Sequence, residues 1–198
     1  MSSNKNSDNP VEPGSLRIIG GNWRGKKLRF PAVEGLRPTP DRVRETLFNW
    51  LMFEIAGARC LDLFAGSGAL GLEALSRGAA ETVFVDRDRR ACGALDRHLF
   101  ELRCNSGKVI CTDSAKWLTT PGLSAAPFNI VFLDPPFDAP ILPEIISQLK
   151  NNGCLAPNAW LYVEQQHPAK YRLDETIWHN HRTKVAGQVS YQLYQIRL

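Results

Sequence analysis

The tetrapeptide Asp134-Pro135-Pro136-Phe137 follows an apolar run, residues 129–133, that is predicted to be a buried strand. Two consecutive prolines fix the backbone, and the carbonyl of Pro135 is expected to point outward. An amine conjugated to a purine is a poor nucleophile, because its lone pair is delocalised into the ring. The Asp134 carboxylate and the Pro135 carbonyl can hold its two hydrogens and so orient the lone pair for attack.

Phe137 adds an aromatic ring that can stack on a base pulled out of its surroundings. The tetrapeptide resembles the (Asp/Asn)-Pro-Pro-(Tyr/Phe/Trp) motif of amino-methyltransferases. Those enzymes act on adenine N6, cytosine N4, guanine N2 or the amide nitrogen of glutamine. The motif therefore predicts the reaction but not the acceptor, and a proline-stiffened turn with a surface acid is the alternative interpretation.

A glycine-rich loop follows another predicted strand, residues 59–64. The loop carries glycines at Gly66, Gly68 and Gly71, which allow a sharp turn where a ligand can lie against the main chain. Asp86 ends the next predicted strand, and its carboxylate can accept both hydroxyls of a ribose. The same spacing is the dinucleotide fingerprint, so NAD(P) remains an alternative cofactor at this point.

Asp62 distinguishes between the two cofactors, because it lies four residues before Gly66. A carboxylate there would repel a pyrophosphate, whereas the ammonium group of a sulfonium amino acid would be attracted to it. An acid followed after three residues by Gly-x-Gly resembles the first motif of class I methyltransferases, which use S-adenosylmethionine. The resemblance implies that Asp62 meets the methionine moiety and that Asp86 meets the ribose.

Asp113 follows a third predicted strand, residues 108–111. In class I methyltransferases an acid or amide at this place contacts the adenine amino group, and a helix N-cap is the competing interpretation. The predicted cofactor-binding residues are Asp62, Phe64, Ala65, Gly66, Gly68, Asp86, Arg87, Asp113 and Ser114.

Apolar strands alternate with helical stretches from residue 59 onward. Strands are predicted at 59–64, 82–86, 108–111, 129–133 and 160–164, helices at 69–77, 89–103 and 142–150, and a final antiparallel pair at 184–189 and 191–197. This alternation predicts an α/β fold with a doubly wound, mostly parallel Rossmann-like sheet and an antiparallel C-terminal strand.

The N-terminal region is predicted to be a small basic extension. Residues 1–14 are expected to be a disordered lead-in, residues 15–40 a β-hairpin, and residues 41–198 the methyltransferase domain. Thr39 is predicted as the N-cap of a helix and Pro40 as its first residue.

The net charge of +4 is unevenly distributed along the chain. Residues 15–50 contain eight basic and three acidic residues, whereas residues 51–198 contain fifteen of each sign. Such a local excess suits a polyanion-binding surface, with Arg24, Lys26 and Lys27 as predicted RNA contacts. A solvated basic face is the alternative.

Two N-terminal stretches, RIIGGNWRGKKL at 17–28 and LRPTPDRVRETLFNWL at 36–51, resemble the RsmD family of bacterial 16S rRNA guanine-N2 methyltransferases. Residues 60–77 and 184–189 continue the likeness over nearly all the chain after Gly14. It implies methylation of a guanine of the guanine-966 type. It also implies that Arg37, Thr39, Arg42 and Asn49 lie near the active-site mouth. By chemistry alone, Arg42 and Arg44 could instead pair with Glu45 or Asp41.

Composition narrows the classes of protein to which this chain could belong. No apolar run is long enough to cross a bilayer, and the five cysteines show no CxxC spacing, which predicts a cytoplasmic protein with reduced thiols. We expect no metal site, a monomer, and 16S rRNA in an assembling small ribosomal subunit as the partner. An amino-methyltransferase with another acceptor, an NAD-dependent oxidoreductase and a non-catalytic RNA-binding module are the alternatives.

Overall fold

The computed structural model describes residues 14–31, 39–123, 126–136 and 141–197. The predicted site residues Arg37 and Phe137 lie outside these ranges. So does the predicted disordered lead-in, except for Gly14, which is already the first residue of a strand.

Within the described residues, seven strands form one mixed sheet, and two more form a separate hairpin. The hairpin strands are β1 (Gly14–Arg17) and β2 (Lys27–Phe30), and the sheet strands are β3 (Arg59–Asp62), β4 (Glu81–Asp86), β5 (Gly107–Cys111), β6 (Phe128–Leu133), β7 (Leu155–Gln166), β8 (Trp178–Ala186) and β9 (Val189–Ile196). The order across the sheet is β5-β4-β3-β6-β7-β9-β8. Strands β3 to β7 run parallel, and β9 is antiparallel to both of its neighbours. The predicted sheet, with an antiparallel strand near the C-terminus, is thus confirmed.

Helices cover both faces of the sheet. They are α1 (Asp41–Trp50), α2 (Ala69–Ser76), α3 (Arg89–Glu101), α4 (Ser114–Leu118) and α5 (Leu142–Asn151). On one face, α1 and α2 pack on Ile130, Phe132 and Tyr162, while α5 packs on the opposite face against Val131 and Leu161. Successive strand residues point to opposite faces, so each buried strand carries apolar side chains at nearly every position.

The hairpin packs on α2 and α3, with Leu16, Ile18, Leu28 and Phe30 in a shared apolar cluster. Its docking is fixed by Glu73 of α2, which is fully buried. The two carboxylate oxygens of Glu73 accept hydrogen bonds from the amides of Ile19 and Gly20, at 2.8 and 2.7 Å. A buried charge is tolerated only when it is paired and hydrogen-bonded, and these amides supply part of that requirement.

Several predicted boundaries were wrong. The N-cap of α1 is Pro40 rather than Thr39, whose side chain makes a different contact described below. Strand β7 begins five residues before the predicted position, and β8 begins at Trp178 rather than at residue 184. Helix α4 was not predicted as an element.

Candidate active site

The carboxyl ends of the parallel strands bring four acidic side chains to one edge of the sheet. Asp62 is the last residue of β3, Asp86 is the last residue of β4, and Asp134 directly follows β6. Glu164 lies near the end of β7. Open α/β sheets bind their ligands at this edge, so the sequence-predicted acids Asp62, Asp86 and Asp134 are gathered where a site is expected.

Asp134 is held by a hydrogen bond from outside the sheet. The Thr39 hydroxyl donates to Oδ2 of Asp134 at 3.2 Å. Thr39 is itself buried and stands just before α1, so the helix start and the end of β6 are joined at the site. Strand β6 ends at Leu133, and after Asp134 the chain continues with the buried Pro135 and the exposed Pro136.

Burial alters the acidity of the two central carboxyls. It raises the pKa of Asp134 to about 6, although the Thr39 hydrogen bond opposes the rise. Burial also raises the pKa of Asp62 to about 7, with smaller increases from the charges of Asp134 and Asp86 and a decrease from a hydrogen bond with Gly71. Removal from water disfavours the charged form of a carboxyl group, and neighbouring acids add to that effect.

The glycine loop turns tightly between β3 and α2. Gly66 and Gly68 have φ angles of 50° and 79°, a left-handed region that suits glycine. A Cβ at Gly68 would clash with Cδ2 of Leu95, so the loop also packs closely on α3. Asp62 lies beneath the loop, 2% exposed, and its Oδ2 accepts a hydrogen bond of 2.9 Å from the amide of Gly71.

Asp86 shapes the same loop from the neighbouring strand. Its two oxygens accept hydrogen bonds from the amides of Gly66, at 2.7 Å, and Asp88, at 2.8 Å. Arg87 follows Asp86 and is exposed. Of the other loop residues, Ala65 is buried, and its amide donates to the carbonyl of Val85 at 3.0 Å.

Asp113 is the N-cap of α4, where its side chain accepts a hydrogen bond of 3.0 Å from the amide of Lys116. This confirms the capping interpretation, and its contact with adenine stays a prediction. Ser114 is buried and donates its hydroxyl hydrogen to the carbonyl of Leu63, which joins α4 to the end of β3. Phe64 is partly buried and packs on the adjoining apolar cluster.

The predicted RNA contacts divide into two groups. Arg24, Lys26 and Lys27 are exposed around the turn of the hairpin, while Arg42 and Asn49 are exposed on α1. The hairpin turn lies at the C-terminal end of α2, because the amide of Trp23 donates to the Ser76 hydroxyl at 2.9 Å. The glycine loop precedes the other end of this helix, about 12 Å away at 1.5 Å per residue.

Arg44 belongs to the interior rather than to this surface. It is 1% exposed, pairs with Asp41 at 2.7 Å and lies 3.5 Å from Glu73. The ion-pair interpretation of this arginine is therefore confirmed. Trp23 likewise packs partly buried against the cluster beneath the hairpin, which supports an anchoring role for its ring.

Glu164 was missed by the sequence analysis. It is 3% exposed and accepts a hydrogen bond of 2.8 Å from the hydroxyl of Tyr162. The signal was present, because a lone glutamate ends the apolar stretch Trp160-Leu161-Tyr162-Val163 at the edge where Asp134 was already predicted. A charged residue type in a buried strand is rare enough to indicate a special environment.

Comparison with known proteins connects this arrangement to one family. The family model described as "Conserved hypothetical protein 95" matches residues 16–195. Ribosomal RNA small subunit methyltransferase D of Escherichia coli is 50% identical over 92% of this chain and 90% of its own length. The chain belongs to this methyltransferase family.

Two further relatives agree with the assignment. The Haemophilus influenzae ribosomal RNA small subunit methyltransferase D is 45% identical, over 96% of this chain and 99% of its own. The solved structure described as "Putative methyltransferase yhhF from Escherichia coli" superposes with a TM-score of 0.85 at 47% identity, covering 93% of this chain and 99% of that one. S-adenosylmethionine stays the predicted cofactor of this chain.

Within the described ranges, no three His, Cys, Asp or Glu side chains are grouped so that they could hold a metal ion. In the same ranges, no helix is both long and apolar enough to cross a membrane.

Proposed function

We propose that this chain transfers a methyl group from S-adenosylmethionine to the exocyclic N2 of a guanine in small-subunit ribosomal RNA, at position 966. The observation that carries the proposal is the adjacency of Asp134 to the glycine loop. Strands β3 and β6 are neighbours, and Asp62 pairs with Phe132, two residues before Asp134. An acceptor for an amine and a loop suited to the methyl donor therefore share one edge of the sheet.

The residues of the chain would act mainly by orientation. S-adenosylmethionine supplies an electrophilic methyl group. The cofactor would be held at the glycine loop by Asp62, Gly66, Gly68 and Asp86. Thr39 holds Oδ2 of Asp134, which leaves Oδ1 to accept one amine hydrogen while the Pro135 carbonyl accepts the other. The nitrogen lone pair would then point at the methyl group. Preorganised acceptors of this kind stabilise the positive charge that develops on nitrogen.

Asp134 would take the proton only after the methyl group has moved. The amine is a weak acid before transfer and a strong one afterwards, so a carboxylate with a pKa of about 6 can receive its proton late. The side chain is thus proposed as an orienting acceptor, and water can share the final removal of the proton.

The RNA would extend well beyond the methylated base. The exposed turn with Arg24, Lys26 and Lys27 lies a helix length from the glycine loop, so an RNA contacting both must span the face covered by α2. Relatives named as small-subunit ribosomal RNA methyltransferases share most of the chain's length. We propose 16S rRNA within an assembling small subunit as the substrate, and a cytoplasmic monomer as the active form.

Methyl transfer to RNA from cells lacking this protein tests the proposal. Labelled S-adenosylmethionine should yield N2-methylguanosine in small-subunit rRNA on nucleoside analysis, and primer extension should locate it at position 966. Purified rRNA and small-subunit particles are compared as acceptors, with Asp134→Ala protein as the blank. Label appearing in N6-methyladenosine, in DNA or in a protein glutamine would overturn the assignment of guanine N2.

A further inference from the structure

Glu164 lies beside the proposed catalytic acid and has no assigned role. Strands β6 and β7 are parallel neighbours in which Leu133 pairs with Val163, so Asp134 and Glu164 are the next residues of adjacent strands. Glu164 is 3% exposed, whereas Asp134 is partly exposed. A buried glutamate therefore lies next to the more exposed Asp134, on the neighbouring strand.

Hydroxyl groups surround the Glu164 carboxyl. Tyr162 donates to its Oε1 at 2.8 Å. The Thr39 hydroxyl, which donates to Asp134 at 3.2 Å, also interacts with Glu164 and lowers its pKa. Tyr191 is the cross-strand partner of Glu164 on β9 and stacks on Trp50, with ring centroids 5.6 Å apart.

Two adjacent carboxyls cannot both ionise easily in such a place. The ion pairs found among the described residues do not include Glu164. When two acids share a buried site, one of them keeps its proton, and the more deeply buried group is the one expected to do so. Burial and then the charge of Asp134 raise the pKa of Glu164 well above its ordinary value, in agreement with the geometry.

We infer that Glu164 is an uncharged carboxylic acid that positions Asp134 by sharing the Thr39 hydroxyl with it, an inference that rests on the proposed role of Asp134. A neutral Glu164 leaves the hydrogen of Thr39 directed to Asp134. It also leaves Asp134 as the single negative charge next to the amine. An ionised Glu164 would compete for that hydrogen and repel the charge of Asp134, which would weaken Asp134 as an acceptor.

The titratable groups facing Glu164 come from three strands. They are Asp134 after β6, Tyr162 on β7 itself and Tyr191 on β9, and burial raises the pKa of Tyr162 well above its usual range. Lys184 on β8 is the next residue in this row, opposite Tyr191, and is exposed. Ionisation of Glu164 is thus the event expected to slow methyl transfer as the pH rises.

Single-turnover transfer to the rRNA acceptor, measured from mildly acidic to alkaline pH, tests the inference. Glu164→Gln keeps the shape, an oxygen for Tyr162 and a donor for Thr39. It should transfer within about twofold of wild type at neutral pH and lose the alkaline decline. Glu164→Leu should be about tenfold slower or more, with unchanged affinity for S-adenosylhomocysteine. Glu81→Gln, a surface change at the start of β4, should keep the wild-type profile.

Tyr162→Phe provides a second variant if Glu164→Leu fails to fold. It removes only the hydroxyl that donates to Glu164, and we expect transfer to fall severalfold. The inference is overturned if Glu164→Gln is as slow as Glu164→Leu, because the charge itself would then be required. It is also overturned if Glu164→Gln follows the wild-type rate at every pH. Asp134→Ala is assayed in parallel to distinguish these outcomes from failure of the proposed function. If that variant transfers methyl at the wild-type rate, Asp134 itself has no role in the reaction.

Discussion

The hydroxyl of Thr39 donates a hydrogen bond of 3.2 Å to Oδ2 of Asp134, which lies 95 positions further along the chain. Thr39 comes just before α1, and Asp134 comes just after β6. The bond therefore joins the start of a helix to the edge of the sheet at the proposed catalytic acid. It orients one oxygen of that acid and stabilises its charged form.

Replacing Thr39 with Val removes this bond while keeping the side-chain shape. We expect methyl transfer to slow about tenfold, because one preorganised donor is lost. The Thr39 bond lowers the pKa of Asp134, which burial has raised to about 6. The proposed role of Asp134 requires its ionised form, so we expect transfer to decline as the pH falls through that value. In Thr39→Val the decline should begin at a higher pH.

Thr46→Val is the matched control for this prediction. Thr46 lies on α1, and its hydroxyl bonds the carbonyl of Arg42 at 2.9 Å rather than any acid. Its rate and pH profile should match the wild type. If the decline of the transfer rate at acidic pH occurs at the same pH in Thr39→Val as in wild type, the proposed coupling between Thr39 and Asp134 is contradicted.

Asp134→Ala should lower the single-turnover rate of methyl transfer on the order of 100-fold or more, since an acceptor in the transition state is removed. Affinity for S-adenosylhomocysteine, measured by isothermal titration, should change little. Asp96→Ala, an exposed acid on α3, serves as the control and should transfer normally. If Asp134→Ala transferred methyl at nearly the wild-type rate, the tetrapeptide would be only a rigid turn and not a catalytic motif.

Asp86→Ala should weaken binding of S-adenosylhomocysteine by about 1–3 kcal/mol, if Asp86 accepts ribose hydroxyls in addition to its loop amides. Asp88→Ala is an informative comparison, because Asp88 also accepts backbone amides nearby, those of Arg90 and Ala91. Isothermal titration should show a loss for Asp86→Ala and little change for Asp88→Ala. Equal losses would indicate that Asp86 only orders the loop.

Neutralising Arg24, Lys26 and Lys27 together should weaken RNA binding and reduce its dependence on salt concentration, because fewer counterions are released. Affinity for S-adenosylhomocysteine should not change. The control neutralises three other exposed lysines, Lys108, Lys116 and Lys150, on β5, α4 and α5. Filter binding over a range of salt concentrations gives the salt dependence of RNA affinity for each variant. If wild type and the hairpin variant have the same salt dependence, the hairpin charges are only solvated and do not contact RNA.

Glu73→Gln should lower the free energy of unfolding by about 3 kcal/mol, because the variant leaves buried partners of a charged group unsatisfied. Those partners include Arg77 at 2.7 Å and Arg44 at 3.5 Å. Urea denaturation measures the change. Glu81→Gln breaks a more exposed pair with Arg59 and should cost no more than about 1 kcal/mol. Similar losses for both variants would mean that burial adds nothing at Glu73.

The sequence was most informative where an element had its own apolar pattern and end signals. Strand β4 and helix α2 fell within one residue of prediction, since the strand has the apolar centre Val83-Phe84-Val85 and the helix is stopped by Gly78. Strand β8 was cut short, because most of its residues are polar and exposed and it owes its conformation to pairing with β9. Local pattern does not report such pairing.

The acidic residues of the candidate site were predicted from the sequence, but the contacts that they make were not. Asp62 was recognised by its spacing before Gly66, Asp86 because it ends a predicted strand, and Asp134 because it follows one. The bond from Thr39 joins residues far apart in sequence, and local capping preference favoured a different role for this threonine. Glu164 ends an apolar stretch in the sequence, but its position beside Asp134 depends on the order β6-β7.

The contacts of Glu73 with both the hairpin and Arg44 also limit how the hairpin could be lost or exchanged. A single carboxylate joins the hairpin, through Ile19 and Gly20, to Arg44 of the helix that begins beside Thr39. A gene that lost the hairpin would leave this acid without the amides that balance it. The hairpin is therefore not an exchangeable accessory, because its docking segment and Glu73 have to be kept or lost together.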